Sequence, residues 1–157
     1  MINFSIPRAM RSRFAVFSLL LLFPFVLIAQ VGINTTTPLS TLDLNGNLSL
    51  KTIGIPTPLL GGPAMAATAI NDGVYLSLTP IAGNTEFYLP NAVSVPGRIY
   101  ILRNISNSIN ATLYTAGGQF FAKDSNTATP APLTMPANAL LKTVIVISDG
   151  ANWTYIF

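Results

Sequence analysis

The residue types that carry out most enzyme chemistry are scarce in this sequence. It has no histidine and no cysteine, so the most common general base and the strongest nucleophile are both missing. Two carboxylates can catalyse hydrolysis, as in glycosidases. The acidic residues here are Asp43, Asp72, Glu86, Asp124 and Asp149. All except Glu86 lie in stretches typical of turns or loops, and one acid makes no catalytic pair. We therefore predict that the protein is not an enzyme.

The stretch LDLNGNLSL at residues 42–50 offers the best set of oxygen ligands for a metal. An EF-hand calcium loop has oxygen ligands at its first, third and fifth positions, glycine at the sixth and glutamate at the twelfth. Asp43, Asn45 and Asn47 match the first three, but glycine comes fourth and Gly54 is at the twelfth position. A β-hairpin fits better, because the Asn-Gly dipeptide favours a type I′ turn. We predict a hairpin here, and no metal or cofactor in the protein.

The distribution of charge argues against nucleic acid as a partner. The formal net charge of +3 comes from eight basic and five acidic residues. Three of the basic residues, Arg8, Arg11 and Arg13, lie in the N-terminal segment. Without that segment the charges balance, and no basic patch remains to bind a phosphate backbone.

The N-terminal segment has the pattern of a secretory signal peptide. Its arginines precede an apolar run from Phe14 to Ala29, which matches the basic and apolar regions of such a peptide. A membrane-spanning helix needs about 20 apolar residues, whereas this run is shorter and contains Pro24. We predict that residues 1–29 are a signal peptide removed on export, and that the protein is secreted or at the cell surface with no membrane segment left. The alternative is a retained anchor.

Proline and glycine divide the rest of the chain. The sequence GIPTPLLGGP at residues 54–63 disfavours regular structure. We therefore predict an N-terminal arm with a hairpin and a Pro/Gly linker over residues 30–63, and a larger domain over residues 64–157. Short apolar runs separated by turn residues indicate an all-β fold for that domain. The predicted strands are 73–79, 85–89, 98–105, 111–115, 119–122, 133–135, 140–148 and 153–157. The fold class expected is an antiparallel β-sandwich-like domain preceded by an extended arm with one β-hairpin.

Two predicted strands are apolar on both faces. RIYILRNI at 98–105 and KTVIVIS at 142–148 place large apolar residues at successive positions. A sheet with one solvated face should instead alternate apolar with polar residues. Each large apolar side chain left in water forfeits about 1.5–3 kcal/mol. The second faces therefore need a cover, and another packed sheet and neighbouring subunits are the candidates. We predict both, and thus self-association.

Two parts of the sequence resemble known proteins. VGINTTTPLSTLDLNG at 31–46 resembles the VGIxTTxP…LDxNG segment that recurs in exported fibre-like proteins of Gram-negative bacteria and in phage tail-fibre-like proteins. YLPNAVSVPGRIYILRNIS at 88–106, with VIVISDGANWTYIF at 144–157, resembles a β-rich module of tail-fibre and surface proteins with the pattern GRxYxxxN…SDGxNW. The resemblance implies a β-structured, commonly trimeric protein with a structural or adhesive role. It supplies no catalytic residues, and this chain has a single copy of the N-terminal unit and no coiled-coil stalk.

These patterns together predict a non-enzymatic exported protein, structural or adhesive, that forms a homotrimer within a surface or fibre-like assembly. An adhesive role would use aromatic and amide side chains, which suit surface glycans; other surface proteins are a further class of partner. The candidate ligand-binding residues are Tyr88, Asn91, Tyr114, Phe120 and Phe121. Two alternatives are an outer-membrane β-barrel, indicated by the alternating aromatic residues of the C-terminal WTYIF, and a carbohydrate-binding accessory module.

Overall fold

The computed structural model of the protein describes residues 31–37 and 40–157, so the predicted signal peptide lies outside the described residues. The described chain divides into two units that meet between Leu48 and Ser49. Its regular structure is mostly β-strand, with 3-10 helices at Ala92–Ser94 and Leu140–Lys142. No helix in the described ranges has the length and apolar character needed to cross a membrane.

In the described residues of the first unit there are two strands, β1 (Val31–Ile33) and β2 (Leu42–Leu44), which pair in parallel. The backbone N–H of Val31 donates to the carbonyl of Thr41 at 2.9 Å. The predicted β-hairpin is therefore wrong. Strand β2 pairs with the preceding strand, residues 47–50 form no strand, and neither residue of the Asn-Gly pair has the positive φ that a type I′ turn requires.

The second unit contains twelve strands in two sheets. Their bounds are β3 Thr52–Ile53, β4 Leu59–Leu60, β5 Thr68–Ala69, β6 Tyr75–Thr79, β7 Glu86–Leu89, β8 Ile99–Asn104, β9 Ala111–Thr115, β10 Phe120–Ala122, β11 Ala128–Thr129, β12 Leu133–Met135, β13 Thr143–Ser148 and β14 Trp153–Ile156. The larger sheet has the order β11-β10-β14-β13-β8-β6-β3, and β4 also pairs with β6. The smaller sheet has the order β12-β9-β7-β5.

Both sheets mix parallel and antiparallel pairs, so the predicted antiparallel β-sandwich is wrong. Strand β6 is parallel to β8, and β7 is parallel to β9. Strand β13 is antiparallel to both β8 and β14. The reason lies in the connections. From β5 to β10, successive strands alternate between the smaller and the larger sheet. Each turn therefore leads across to the other sheet, and strands two apart in the sequence become parallel neighbours.

Each of the eight predicted strands nevertheless corresponds to an observed one, namely β6 to β10 and β12 to β14. The strands that were not predicted have only two residues each in this unit. Two of them, β3 and β4, pair with β6. The Pro/Gly stretch at 54–63 thus belongs to the second unit, which begins at Ser49, whereas the sequence placed the start of the domain at residue 64.

One hydrophobic core receives side chains from both sheets. The larger sheet contributes Leu76, Leu78, Tyr100, Leu102, Phe120, Val144, Val146, Trp153 and Tyr155, and the smaller sheet contributes Phe87, Leu89, Ala111, Leu113, Leu133 and Met135. Trp153 is fully buried, and its indole Nε1 donates to the hydroxyl of Thr115 at 3.0 Å, which links β14 to β9. Because side chains alternate along a strand, every inward residue has outward neighbours, and each sheet has a second, outer face.

The segments that resemble tail-fibre modules supply turn and core residues. Strand β8 pairs with β13, and the SDGAN turn joins β13 to β14. Within that turn the carboxylate of Asp149 accepts hydrogen bonds from the backbone N–H groups of Asn152 and Ala151 at 2.6 and 2.7 Å. These two donors hold the pKa of Asp149 below its usual value. Gly150 has a φ of +93°, which a residue with a side chain rarely adopts.

Candidate functional site

The outer face of the smaller sheet carries aromatic and polar side chains. Glu86 and Tyr88 point outward from β7, because Phe87 and Leu89, which alternate with them, are in the core. Strand β9 lies beside it in parallel, with Thr112 opposite Glu86 and Tyr114 opposite Tyr88. The two tyrosines are therefore side by side on adjacent strands, which lie about 4.8 Å apart.

A cleft of about 530 Å³ opens beside these tyrosines. We call it the tyrosine cleft. It is lined by Ala64, Met65, Ala67, Glu86, Tyr88, Tyr114 and Thr115. Tyr88 is 38% exposed and Tyr114 is half-buried. The volume falls within the range of about 300–1,000 Å³ usual for small-ligand sites.

One wall of the tyrosine cleft is a turn held firmly against β7. Gly62 and Glu86 exchange two backbone hydrogen bonds, with N···O distances of 2.9 and 3.0 Å. The N–H of Ala66 donates to the carbonyl of Pro63 at 3.0 Å and closes the turn. A Cβ atom at position 62 would lie 2.2 Å from the carbonyl oxygen of Ala66, so only glycine fits there. The wall is therefore preformed by backbone contacts.

The polar groups of the cleft are a carboxylate and hydroxyls. The hydroxyl of Tyr114 donates to Oε1 of Glu86 at 3.4 Å. Burial, followed by the nearby charge of Glu86 and this hydrogen bond, raises the pKa of Tyr114 above its ordinary value. Tyr114 is therefore a neutral hydrogen-bond donor at physiological pH. The lining residues include no lysine or arginine.

The structure brings together two of the five candidate ligand-binding residues, Tyr88 and Tyr114. Asn91 is outside the cleft lining, and its Oδ1 accepts a hydrogen bond from the N–H of Val93 at 3.1 Å, capping the first 3-10 helix. Phe120 is in the core, with 1% of its surface exposed. Phe121 lies on the larger sheet, beside Thr154 of β14.

Sequence reasoning missed Glu86 and the 62–67 turn as parts of the cleft. Glu86 was noticeable as the one acidic residue without a turn or loop context, and its alternation with Tyr88 places both on one face of a strand. The turn gave no such signal, since its contact with Glu86 depends on which strand lies beside which.

The outer face of the larger sheet has the opposite character. Six apolar residues point outward from four neighbouring strands, and we call them the isoleucine face. They are Tyr75, Ile99, Ile101, Ile145, Ile147 and Ile156. Their registers make them contiguous, because Ile147 is opposite Ile99, and Ile145 lies between Ile101 and Ile156.

The isoleucine face is open to solvent within the described chain. Ile99 is 43% exposed, and the other five members are half-buried. Arg103 is a charged residue at its border, on β8 opposite Thr143. Ser77, beside Arg103 in the register of β6, is buried, and Gly54 approaches it. Strands β3 and β4 pair with β6 at that edge of the sheet.

Comparison with known proteins found no matching family model, no matching curated protein and no matching solved structure. The resemblance to exported fibre-like proteins thus stays a prediction from the motifs.

Proposed function

We propose that the protein is a non-enzymatic, exported structural subunit that associates with copies of itself through the isoleucine face, in a surface or fibre-like assembly. The observation that carries the proposal is this contiguous apolar face on the outer side of the larger sheet. The half-buried isoleucines still have part of the roughly 1.5–3 kcal/mol of a fully buried side chain to gain. Covering them would supply a driving force for association.

A second copy of the chain is the occupant that best fits this face. The six members carry no charge, so they provide no electrostatic signal for a charged partner. A face of branched apolar side chains is covered when further copies turn the same face towards a common axis, and closed cyclic symmetry is usual among homo-oligomers. The sequence resemblance favours three copies, and export to the cell surface or medium follows from the predicted signal peptide.

The test is analytical ultracentrifugation of the exported protein, purified without detergent, together with two matched variants. Ile145→Lys places a charge at the centre of the isoleucine face, and Thr134→Lys places the same charge on an exposed position of the smaller sheet. We expect a trimer at micromolar concentration for the wild type and for Thr134→Lys, and a monomer for Ile145→Lys. A monomeric wild type, or an Ile145→Lys variant that assembles as the wild type does, would contradict the proposal.

A further inference from the structure

The tyrosine cleft has a composition that selects among chemical classes of ligand. Its charged lining residue is the carboxylate of Glu86, without a lysine or arginine beside it. A phosphate, sulfate or uronic acid would meet a like charge there. A wholly apolar ligand would cover the carboxylate of Glu86 and the hydroxyl of Tyr114 without offering them further hydrogen-bond partners, which is costly. The ligand that fits is neutral, with both apolar faces and hydroxyl groups.

A sugar ring combines these two properties. The C–H groups on the face of a pyranose pack against an aromatic ring, and its equatorial hydroxyls lie at the edge, where acceptors and donors reach them. Tyr88 and Tyr114 are side by side on adjacent parallel strands and provide neighbouring aromatic side chains. Next to them, Glu86 accepts a hydrogen bond from Tyr114 and has further acceptor capacity for the hydroxyls of a sugar.

We propose that the tyrosine cleft binds a neutral polysaccharide, with one sugar ring packed on Tyr88 and its hydroxyls donating to the carboxylate of Glu86. The preformed wall at residues 62–67 limits how much of the site must become ordered on binding, which favours affinity. The protein thereby gains an adhesive role, through a different sheet from the one proposed for assembly. The binding role does not depend on the proposed self-association.

The experiment measures binding of the full exported chain to linear neutral hexasaccharides, namely glucan, galactan and mannan, beside uronic-acid hexasaccharides of the same length. Isothermal titration calorimetry gives the dissociation constants. We expect binding to at least one neutral oligosaccharide and none to the acidic ones. Failure of every neutral oligosaccharide to bind at millimolar concentration, or binding to acidic ones alone, would overturn the proposal.

Four variants locate the bound sugar. Tyr88→Ala should weaken binding at least about tenfold, because it removes the packing surface, whereas Tyr88→Phe should keep affinity within about threefold. Glu86→Gln should weaken binding severalfold, since a charged acceptor makes the stronger hydrogen bond. Thr134→Ala, on the same sheet but outside the cleft lining, should bind as the wild type does. A Tyr88→Ala variant with unchanged melting temperature and unchanged affinity would place the sugar elsewhere and overturn the proposal.

Each proposal has its own readout. Ultracentrifugation of Tyr88→Ala should give the same mass as the wild type, because Tyr88 lies on the smaller sheet and the isoleucine face lies on the larger one. A Tyr88→Ala variant that loses sugar binding and still assembles supports the sugar-binding proposal and is consistent with self-association. A wild type that assembles but binds no neutral sugar overturns the sugar-binding proposal alone.

Discussion

The two sheets of the second unit share one core but present different outer faces. The larger sheet places five isoleucines and a tyrosine outward, whereas the smaller sheet places Glu86, Tyr88, Thr112 and Tyr114 outward. Inward residues in both sheets are mostly apolar, because burial of apolar surface drives folding. Folding makes no such demand on the outer faces, so the composition of the two sheets is free to differ there. An apolar face suits a protein surface as partner, and an aromatic-polar face suits a small hydrated ligand.

The largest effect should come from the core that supports both faces. Replacing Trp153 by alanine removes a fully buried side chain and the hydrogen bond from its indole to Thr115. We expect the free energy of unfolding to fall by about 3–5 kcal/mol. Urea denaturation followed by circular dichroism measures this loss, and Phe157→Ala, at a half-exposed aromatic residue in the same segment, is the control. A loss below about 1 kcal/mol for Trp153→Ala would be incompatible with a shared core.

A buried amide should produce the next largest effect. Asn104 is fully buried and donates to the carbonyls of Ile109 and Met135, both at 3.0 Å, tying β8 to β12 of the other sheet. Asn104→Leu keeps a side chain of similar size but leaves these carbonyls without their donor. We expect a destabilisation of about 2–4 kcal/mol, since an unsatisfied buried polar group costs about 1–3 kcal/mol. Asn126→Leu, at an exposed position of the loop after β10, should be close to neutral by the same denaturation assay.

A milder change to the isoleucine face should separate association from folding. Ile99 and Ile147 are opposite each other on β8 and β13. Replacing both by threonine keeps β-branched residues, which suit strands, but removes apolar area from the face. We expect the dissociation constant of the assembly to rise at least about tenfold, with little change in the melting temperature of the dissociated chain. Equal dissociation constants for wild type and double variant would remove the isoleucine face from the interface.

Acid should destabilise the turn at the end of that face. The pKa of Asp149 is lowered in the folded protein by the N–H groups of Asn152 and Ala151. A carboxyl whose folded pKa lies below its unfolded value, about 3.9 for aspartate, stabilises the fold above that unfolded value. The contribution is lost as the pH falls through the folded pKa. The unfolding free energy of the wild type should therefore drop between neutral pH and pH 3 by more than that of Asp149→Asn. Parallel pH profiles would contradict this role, and Asp124→Asn, in an exposed loop, is the comparison variant.

The smallest effect on stability should come from the tyrosine cleft. Tyr88→Phe removes one hydroxyl from a side chain that is 38% exposed. We expect the unfolding free energy to change by less than about 0.5 kcal/mol, as for most surface substitutions. Thermal denaturation measures this change. A larger loss of unfolding free energy would mean that Tyr88 supports the fold, as the core residues do.

Strand positions could be predicted from the sequence because their signals are local. The strand predicted at residues 140–148 contains β13, and the turn residues of SDGAN mark its end at Ser148, whereas residues 140–142 form a 3-10 helix. The two-residue strands β3 and β4 had no comparable pattern, because proline and glycine around them indicate a linker. They form because β6 offers an edge to pair with.

The candidate site could be predicted only in part, because it depends on which strands pair and which side chains are exposed. Tyr88 and Tyr114 were chosen by residue type, and their pairing in register was not visible in the sequence. Phe120 and Phe121 were chosen by the same criterion, yet one is in the core and the other lies on the larger sheet. Residue type indicates what a side chain can bind, whereas exposure and neighbours decide whether a site exists.

The amino-acid sequence by itself determined that this chain forms short strands with apolar residues on both sides of β8 and β13. Alternation along a strand and the chemistry of turns act over a few residues, so they can be read without a fold. Only the tertiary structure decided that successive strands alternate between two sheets, that the pairs are partly parallel, and that the tyrosines and the isoleucines lie on different outer faces. Those outcomes depend on contacts between strands far apart in the chain. Alternative pairings of these strands share the same local sequence pattern and differ only in how their side chains pack.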